Sequence, residues 1–140
     1  MAGLPLEMVT DPCALIPTRV AEEMELLPSA NERYGLPRKG PSKEPITCYW
    51  TNRSGEALDV QLHHDQSRRA VRYIVSQDNV DLVMGYPTAM STGSATGCNV
   101  EVAVSDTAHL NLQVSSYNRA GACAVGVRAA QEVLRNIPTR

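Results

Sequence analysis

Three features of the sequence predict a two-layer α+β fold, an antiparallel β-sheet with the terminal helices packed on one of its faces. Apolar and polar residues alternate with period two in the segments 46–51, 58–63, 98–104 and 110–115. Apolar residues recur at spacings of three and four near both ends of the chain, the signature of a one-faced helix. No strand–helix–strand unit reads as parallel, and alternation with one polar face is what an antiparallel sheet requires. With 140 residues and 43% hydrophobic residues, the chain is sized for one domain. A chain of this length buries roughly two-thirds of its unfolded surface, so it needs no metal or disulfide merely to fold.

Met1 to Thr10 read as a lead-in, and residues 11–140 as a single α+β domain. Asp11 is a helix-capping residue and Pro12 suits a first helical position, where its missing N–H would be unpaired anyway. Cys13, Ile16, Val20, Met24 and Leu27 share a helical face; Pro17 interrupts it, so a short turn and then a helix from Pro17 to Leu26 are expected. Pro28 to Pro45 form a long connection, broken by Pro37, Pro41, Gly35 and Gly40. Its Arg33, Arg38, Lys39 and Lys43 make it locally basic, and Arg38 and Lys39 are candidate partner contacts beside the plainer reading of a solvated loop.

A hairpin follows. Ile46, Cys48 and Trp50 alternate with Thr47, Tyr49 and Thr51, Asn52 to Gly55 supply the turn, and Leu58, Val60 and Leu62 alternate with Asp59, Gln61 and His63. The next helix carries Ala70, Val71, Ile74 and Val75 on one side and Arg68, Arg69 and Arg72 on the other. Asn79 to Tyr86 has no clear period, and Pro87 to Ser91 reads as a short strand. Cys98, Val100, Val102 and Val104 share one face of a strand, as do Leu110, Leu112 and Val114 of the next. A final helix places Cys123, Val127, Ala130, Leu134 and Ile137 in a stripe that Pro138 closes.

The polar face of this sheet would carry Thr47, Tyr49, Asp59, Gln61, His63, Asn99, Glu101, Asn111 and Gln113, so it meets solvent or a ligand. Tyr49 is expected to point outward beside Gln61 and Glu101. An outward tyrosine among amides suits a carbohydrate- or peptide-contacting surface, because its ring is apolar and its tip polar. The competing reading is a tyrosine that only packs across strands. Tyr49, Gln61, His63, Glu101 and Gln113 are the candidate binding residues of the sheet.

Four cysteines are more than a chain of this size needs. Cys48 and Cys98 fall on the apolar faces of two strands, and Cys13 and Cys123 at the starts of the terminal helices. Position favours Cys13 with Cys123, stapling the two ends, and Cys48 with Cys98, tying the first hairpin to the second strand pair. Four buried free thiols remain the alternative. No CxxC or HxxxH spacing points to zinc.

Asp11-Pro12-Cys13-Ala14-Leu15, Cys48-Tyr49-Trp50, Cys98-Asn99-Val100-Glu101-Val102 and a late helical Cys123 together resemble a family of actinobacterial secreted lipoprotein domains of unknown function. The resemblance runs from about Val9 to Pro138. It implies export, two disulfides, and an envelope location through a lipidated N-terminal cysteine. Ile16 departs from the Ser or Thr that the family often has before Pro17. The N-terminus carries neither a basic n-region nor a long apolar segment, so a leader and lipid-anchored cysteine are expected to have been trimmed from upstream. The family has no assigned catalytic residues.

With 13 Lys+Arg against 15 Asp+Glu, the formal charge of −2 speaks against a nucleic-acid partner. No apolar run approaches the ~18–20 residues of a membrane span. His63-His64-Asp65 is the one concentrated titratable cluster. Adjacent strand residues point to opposite faces, so it does not make a metal site. The glycine-containing run from Thr92 to Gly97 has no following lysine and opens a strand, unlike a phosphate cradle. The expectation is a non-catalytic envelope domain without cofactor or metal, binding envelope protein, glycan or lipid. A protein–protein inhibitor or immunity-like partner using the Arg33–Lys43 loop is the alternative. A small hydrolase using His63, His64 or His109 is a weaker one.

Overall fold

The computed structural model describes residues 4–28, 46–52, 54–64, 68–75, 81–92, 96–117 and 121–138. The basic connection with Arg38 and Lys39 lies outside them. The elements are α1 (Thr18–Glu23), β1 (Leu27–Pro28), β2 (Ile46–Thr51), β3 (Ala57–His63), α2 (Arg68–Val75), β4 (Asp81–Val83), β5 (Tyr86–Ser91), β6 (Cys98–Ala103), β7 (His109–Ser115) and α3 (Ala122–Asn136). Two 3₁₀ turns, Leu6–Met8 and Pro12–Leu15, precede α1. The seven strands form one antiparallel sheet in the order β1-β2-β3-β7-β6-β5-β4. The fold class is therefore the α+β class that the alternation predicts.

Period-two burial is clean where it was legible. In β2, Ile46, Cys48 and Trp50 are buried and their neighbours half-buried. The turn into β3 is organised by Asn52, whose Oδ1 accepts from the N–H groups of Ser54 and Glu56, both at 3.0 Å. Its Nδ2 donates to Glu25 O and to Glu56 Oε1, which anchors the turn to the end of α1. β4 and β5 form a hairpin hidden from the sequence reading. Met84 (φ 51°) and Gly85 (φ 84°) are both left-handed, as a two-residue turn matching the strand twist requires. Asn-Gly or Asp-Gly would have announced such a turn; Met-Gly does not.

The chain leaves the centre of the sheet at β3 and returns at the far edge, β4. The crossover contains α2, which packs on β5 and β6 across the polar face: Val71 and Ile74 bury against Ala103 and Ala89. The apolar face is covered by the terminal elements. The 3₁₀ turn Pro12–Leu15 lies over β2, and α3 over β6 and β7. Residues assigned to a lead-in take part, since Leu6 and Val9 are in the core. Asn136 Nδ2 donates to Leu15 O at 3.1 Å, and an Arg128–Glu23 ion pair links α3 to α1.

The cysteine pairing differs from the expected one: Cys13 bonds to Cys48 and Cys98 to Cys123, with Cα separations of 5.3 and 5.1 Å. The strand order gives the reason. β3 and β7 lie between β2 and β6, so Cys48 and Cys98 stand about 14 Å apart, three strand spacings, beyond the reach of a disulfide. Each strand cysteine is met instead by the covering element directly above it.

Of the expected α3 stripe, Ala130, Leu134 and Ile137 are buried and Cys123 and Val127 are half-buried against the core, while Ala122, Gly126, Ala129 and Val133 form the rest of the buried face. Gly126 faces the sheet, where a Cβ would come within 2.8 Å of Val100 Cγ2. Apolarity counting passes over glycine, although its small size sets the helix–sheet distance here.

Two outcomes follow from this packing. Replacing Cys98 and Cys123 by alanine opens a loop of 25 residues and should lower unfolding free energy by about 3 kcal/mol in urea denaturation. Non-reducing peptide mapping should recover Cys98 with Cys123, never with Cys48. Gly126→Ala gains about 1 kcal/mol of helix propensity but forces Val100, a stiff and fully buried side chain, to move. The net result should be destabilisation of roughly 1 kcal/mol, reduced when Val100→Ala is added, as urea midpoints of the single and double variants will report.

Candidate functional site

The register sets the polar face of the sheet out in cross-strand rows. One runs Tyr49, Asp59, Gln113, Asn99, Ser91 over β2, β3, β7, β6 and β5. The next runs Thr47, Gln61, Asn111, Glu101, Ala89 over the same strands. The third holds His63, His109 and Ala103. Each residue sits here because side chains alternate along a strand, and the inward partners (Val60, Leu62, Val100, Val102, Leu110, Leu112) are held in the core.

Side-chain hydrogen bonds run along the strands as well. Gln61 Nε2 donates to Asp59 Oδ2 at 3.0 Å, and Gln61 Oε1 lies 3.1 Å from His63 Nε2. With that oxygen as acceptor, Nε2 carries the imidazole proton. Asn99 Nδ2 donates to Glu101 Oε1 at 3.2 Å. The carboxylates Asp59 and Glu101 are thus each engaged by an amide two residues away.

His63 and His109 stack face to face, with ring centroids 4.5 Å apart and planes 4° from parallel. The His63 pKa is pushed down to about 4, chiefly by burial and then by His109 and, to a lesser degree, His64, against the opposing pull of Glu101 and Asp59. Burial lowers the pKa of His109 as well. Its register neighbour Ala103 is the seat of Val71 and Ile74 of α2. At neutral pH both rings are uncharged, so the centre of this face offers dipoles rather than a cation.

Among the described residues, three buried polar atoms on the face find no hydrogen-bond partner: Asn99 Oδ1, Asn111 Oδ1 and His109 Nδ1. Such groups are uncommon in a folded domain and each costs free energy. Beside Asn99, at one end of the β6–β7 ladder, lies a shallow open depression of about 460 Å³. Thr96, Asn99, Gln113, Ser115 and Ser116 line it with amides and hydroxyls beside Gly97, Cys98 and Val114, and among the described residues no charged one lines it.

The structure brings Gln61, His63 and Glu101 into one cluster and sets Tyr49 and Gln113 in the adjoining row. Tyr49 is not beside Glu101, as the sequence reading had it. It pairs with Asp59, and two strands separate β2 from β6. Trp50 is in the core, its Nε1 without a partner. His109 was not placed on this face by the sequence reading, which began the last strand at Leu110. Continuing the outward positions Gln113 and Asn111 back by two would have found it. Among the described residues no three His, Cys, Asp or Glu side chains converge to hold a metal ion, and no helix is long and apolar enough to cross a membrane. The described face can donate and accept hydrogen bonds at many neutral positions, which is the chemistry of recognition.

The histidine pair makes stability depend on pH. Both folded pKa values lie below the unfolded value of 6.5, so their contribution is complete above about pH 6.5, where both states are neutral. It is lost as pH falls from there toward 4, because the unfolded chain takes up protons that the folded rings refuse. Urea midpoints should fall across that window, and less steeply in a His63→Asn, His109→Asn variant. An identical slope in the two proteins would contradict the burial argument. Comparison with protein-family models, curated proteins and solved structures finds no match to this chain, so the reading of the site rests on its own chemistry.

Proposed function

We propose that this chain is a non-catalytic, extracytoplasmic binding or accessory domain of the cell envelope, whose contact surface is the polar face of its sheet. The observation that carries the reading is that face itself. It presents rows of amides, hydroxyls and neutral imidazoles around the amide-engaged carboxylates Asp59 and Glu101, with buried polar atoms that lack partners among the described residues. A surface that merely needed to be wet would be served by flexible charged side chains, which cost nothing to solvate. Fixed amides in register on a rigid sheet are suited instead to partners whose polar groups match them.

The two disulfides fit an oxidising compartment outside the cytoplasm. The likeness of Asp11-Pro12-Cys13-Ala14-Leu15 and the other cysteine segments to envelope lipoprotein domains supports the finer location, with an anchor upstream of the domain. The partner would be a protein, glycan or lipid component of that envelope.

The test combines compartment with binding. Cells of the native host are alkylated before lysis and fractionated. The four cysteines should resist alkylation until reduced, and the protein should partition with the envelope. Purified domain should be retained by envelope material, and Gln61→Ala with Asn111→Ala should reduce retention without changing the urea midpoint by more than about 1 kcal/mol equivalent. Alkylated thiols in a cytosolic protein, or retention indifferent to these substitutions, would count against the proposal.

A further inference from the structure

The open depression at the end of the β6–β7 ladder points to a ligand class. We infer that it is a binding subsite for an uncharged, polyhydroxylated ligand, a neutral saccharide. This rests on reading the domain as a binding module, and narrows it.

The lining decides between chemistries. Asn99 and Gln113 are register partners and present two side-chain amides next to one another. Thr96, Ser115 and Ser116 add hydroxyls around them. Amides and hydroxyls each donate and accept, as vicinal sugar hydroxyls do, so the two sets can pair in several orientations. Among the described residues no lysine, arginine, aspartate or glutamate lines the depression, so none of them compensates an ionic ligand for the water it would lose. An acyl chain would need a deep, enclosed apolar pocket, and this depression is shallow and open, with Cys98 and Val114 sharing its wall with the amides and hydroxyls. An extended peptide binds most readily by adding to a sheet edge, whereas β6 and β7 are both interior strands with neighbours on each side.

Two further observations fit a saccharide. Asn99 donates through Nδ2 to Glu101, and its buried Oδ1 has no partner among the described residues. Turning the side chain would present that oxygen to a ligand hydroxyl at the depression that Asn99 lines. The same row continues from Gln113 through Asp59 to Tyr49, an aromatic ring roughly 10 Å away, two strand spacings, on which a sugar face can rest. Affinity should therefore grow with chain length beyond one ring.

The experiment is NMR titration of the isotopically labelled, oxidised chain with maltotetraose, cellotetraose, chitotetraose and mannotetraose, each against its monosaccharide. Tetra-alanine and a zwitterionic lipid micelle serve as the other arms. At least one tetrasaccharide should shift the amides of Thr96, Gly97, Asn99, Ser115 and Ser116 in a saturable way and bind more tightly than its monosaccharide. Gln113→Leu should weaken it about five- to tenfold, and Tyr49→Ala should erase the advantage of the longer sugar. Absence of saturable shifts with all four sugars, shifts elsewhere on the surface, or the same shifts from the peptide or micelle alone would overturn the assignment. If the sugars fail while envelope material still retains the domain through the polar face, only the saccharide assignment falls. If retention is lost too, the binding-module reading falls with it.

Discussion

The core of this domain closes because α3 packs directly on β6. At Gly126 the absence of a Cβ avoids a clash with Val100, and Ala122, Ala129 and Ala130 keep the rest of the contact stripe small. The Cys98–Cys123 bridge then joins the start of that helix to the start of the strand beneath it. Close approach buries the valines and leucines of β6 and β7 completely, and burial of apolar surface is the main term holding a domain of this size together. The second bridge applies the same device at the other half of the sheet, where the turn carrying Cys13 is fixed over Cys48 of β2. Both halves of the cover are therefore covalently attached to the strands they protect.

Strands sealed so firmly on one face place their outward side chains with little freedom. That is why the polar face has defined rows, and why His63 and His109 meet as a stacked pair rather than as two mobile surface rings. Their lowered pKa values follow from the burial that comes with this packing, which penalises the charged rings. Asp59 and Glu101 would otherwise favour a charged imidazole, but burial outweighs them.

Much of this was legible in the sequence because one-sided burial writes itself as alternation. The strands around Trp50, Leu58, Val100 and Leu112, the outward set from Thr47 to Gln113, and the apolar positions of all four cysteines could be read directly. The pairing of the cysteines could not, because it depends on β3 having β7 as its neighbour, and no local pattern records which strand lies beside which. Gly126 was invisible for a different reason: its contribution is the absence of a side chain, which a count of apolar residues scores as nothing. His109 was missed through a strand boundary placed one residue late. The Met84-Gly85 turn was missed because methionine rarely adopts the left-handed conformation it takes there.

The way α2 sits on the sheet sharpens the meaning of the polar face. At the β5–β6 end this fold covers the same face with a helix, and there the outward residues are Ala89 and Ala103, meeting Val71 and Ile74. The chain is thus able to make this face apolar and bury it. Over β3, β7 and the start of β6 the outward residues change to Gln61, Asn111, Gln113 and Asn99, three strands in a row. Covering those positions with α2 would strand their amides away from water, so the switch in residue type and the limit of the helix agree with each other. Folding alone explains the alanines, which a helix must sit on. It does not by itself explain why the uncovered rows hold Gln61, Asn111, Gln113 and Asn99 in register beside the carboxylates Asp59 and Glu101, with the Asn99 and Asn111 oxygens lacking partners among the described residues. The proposed recognition of a hydrogen-bonding ligand would account for that choice.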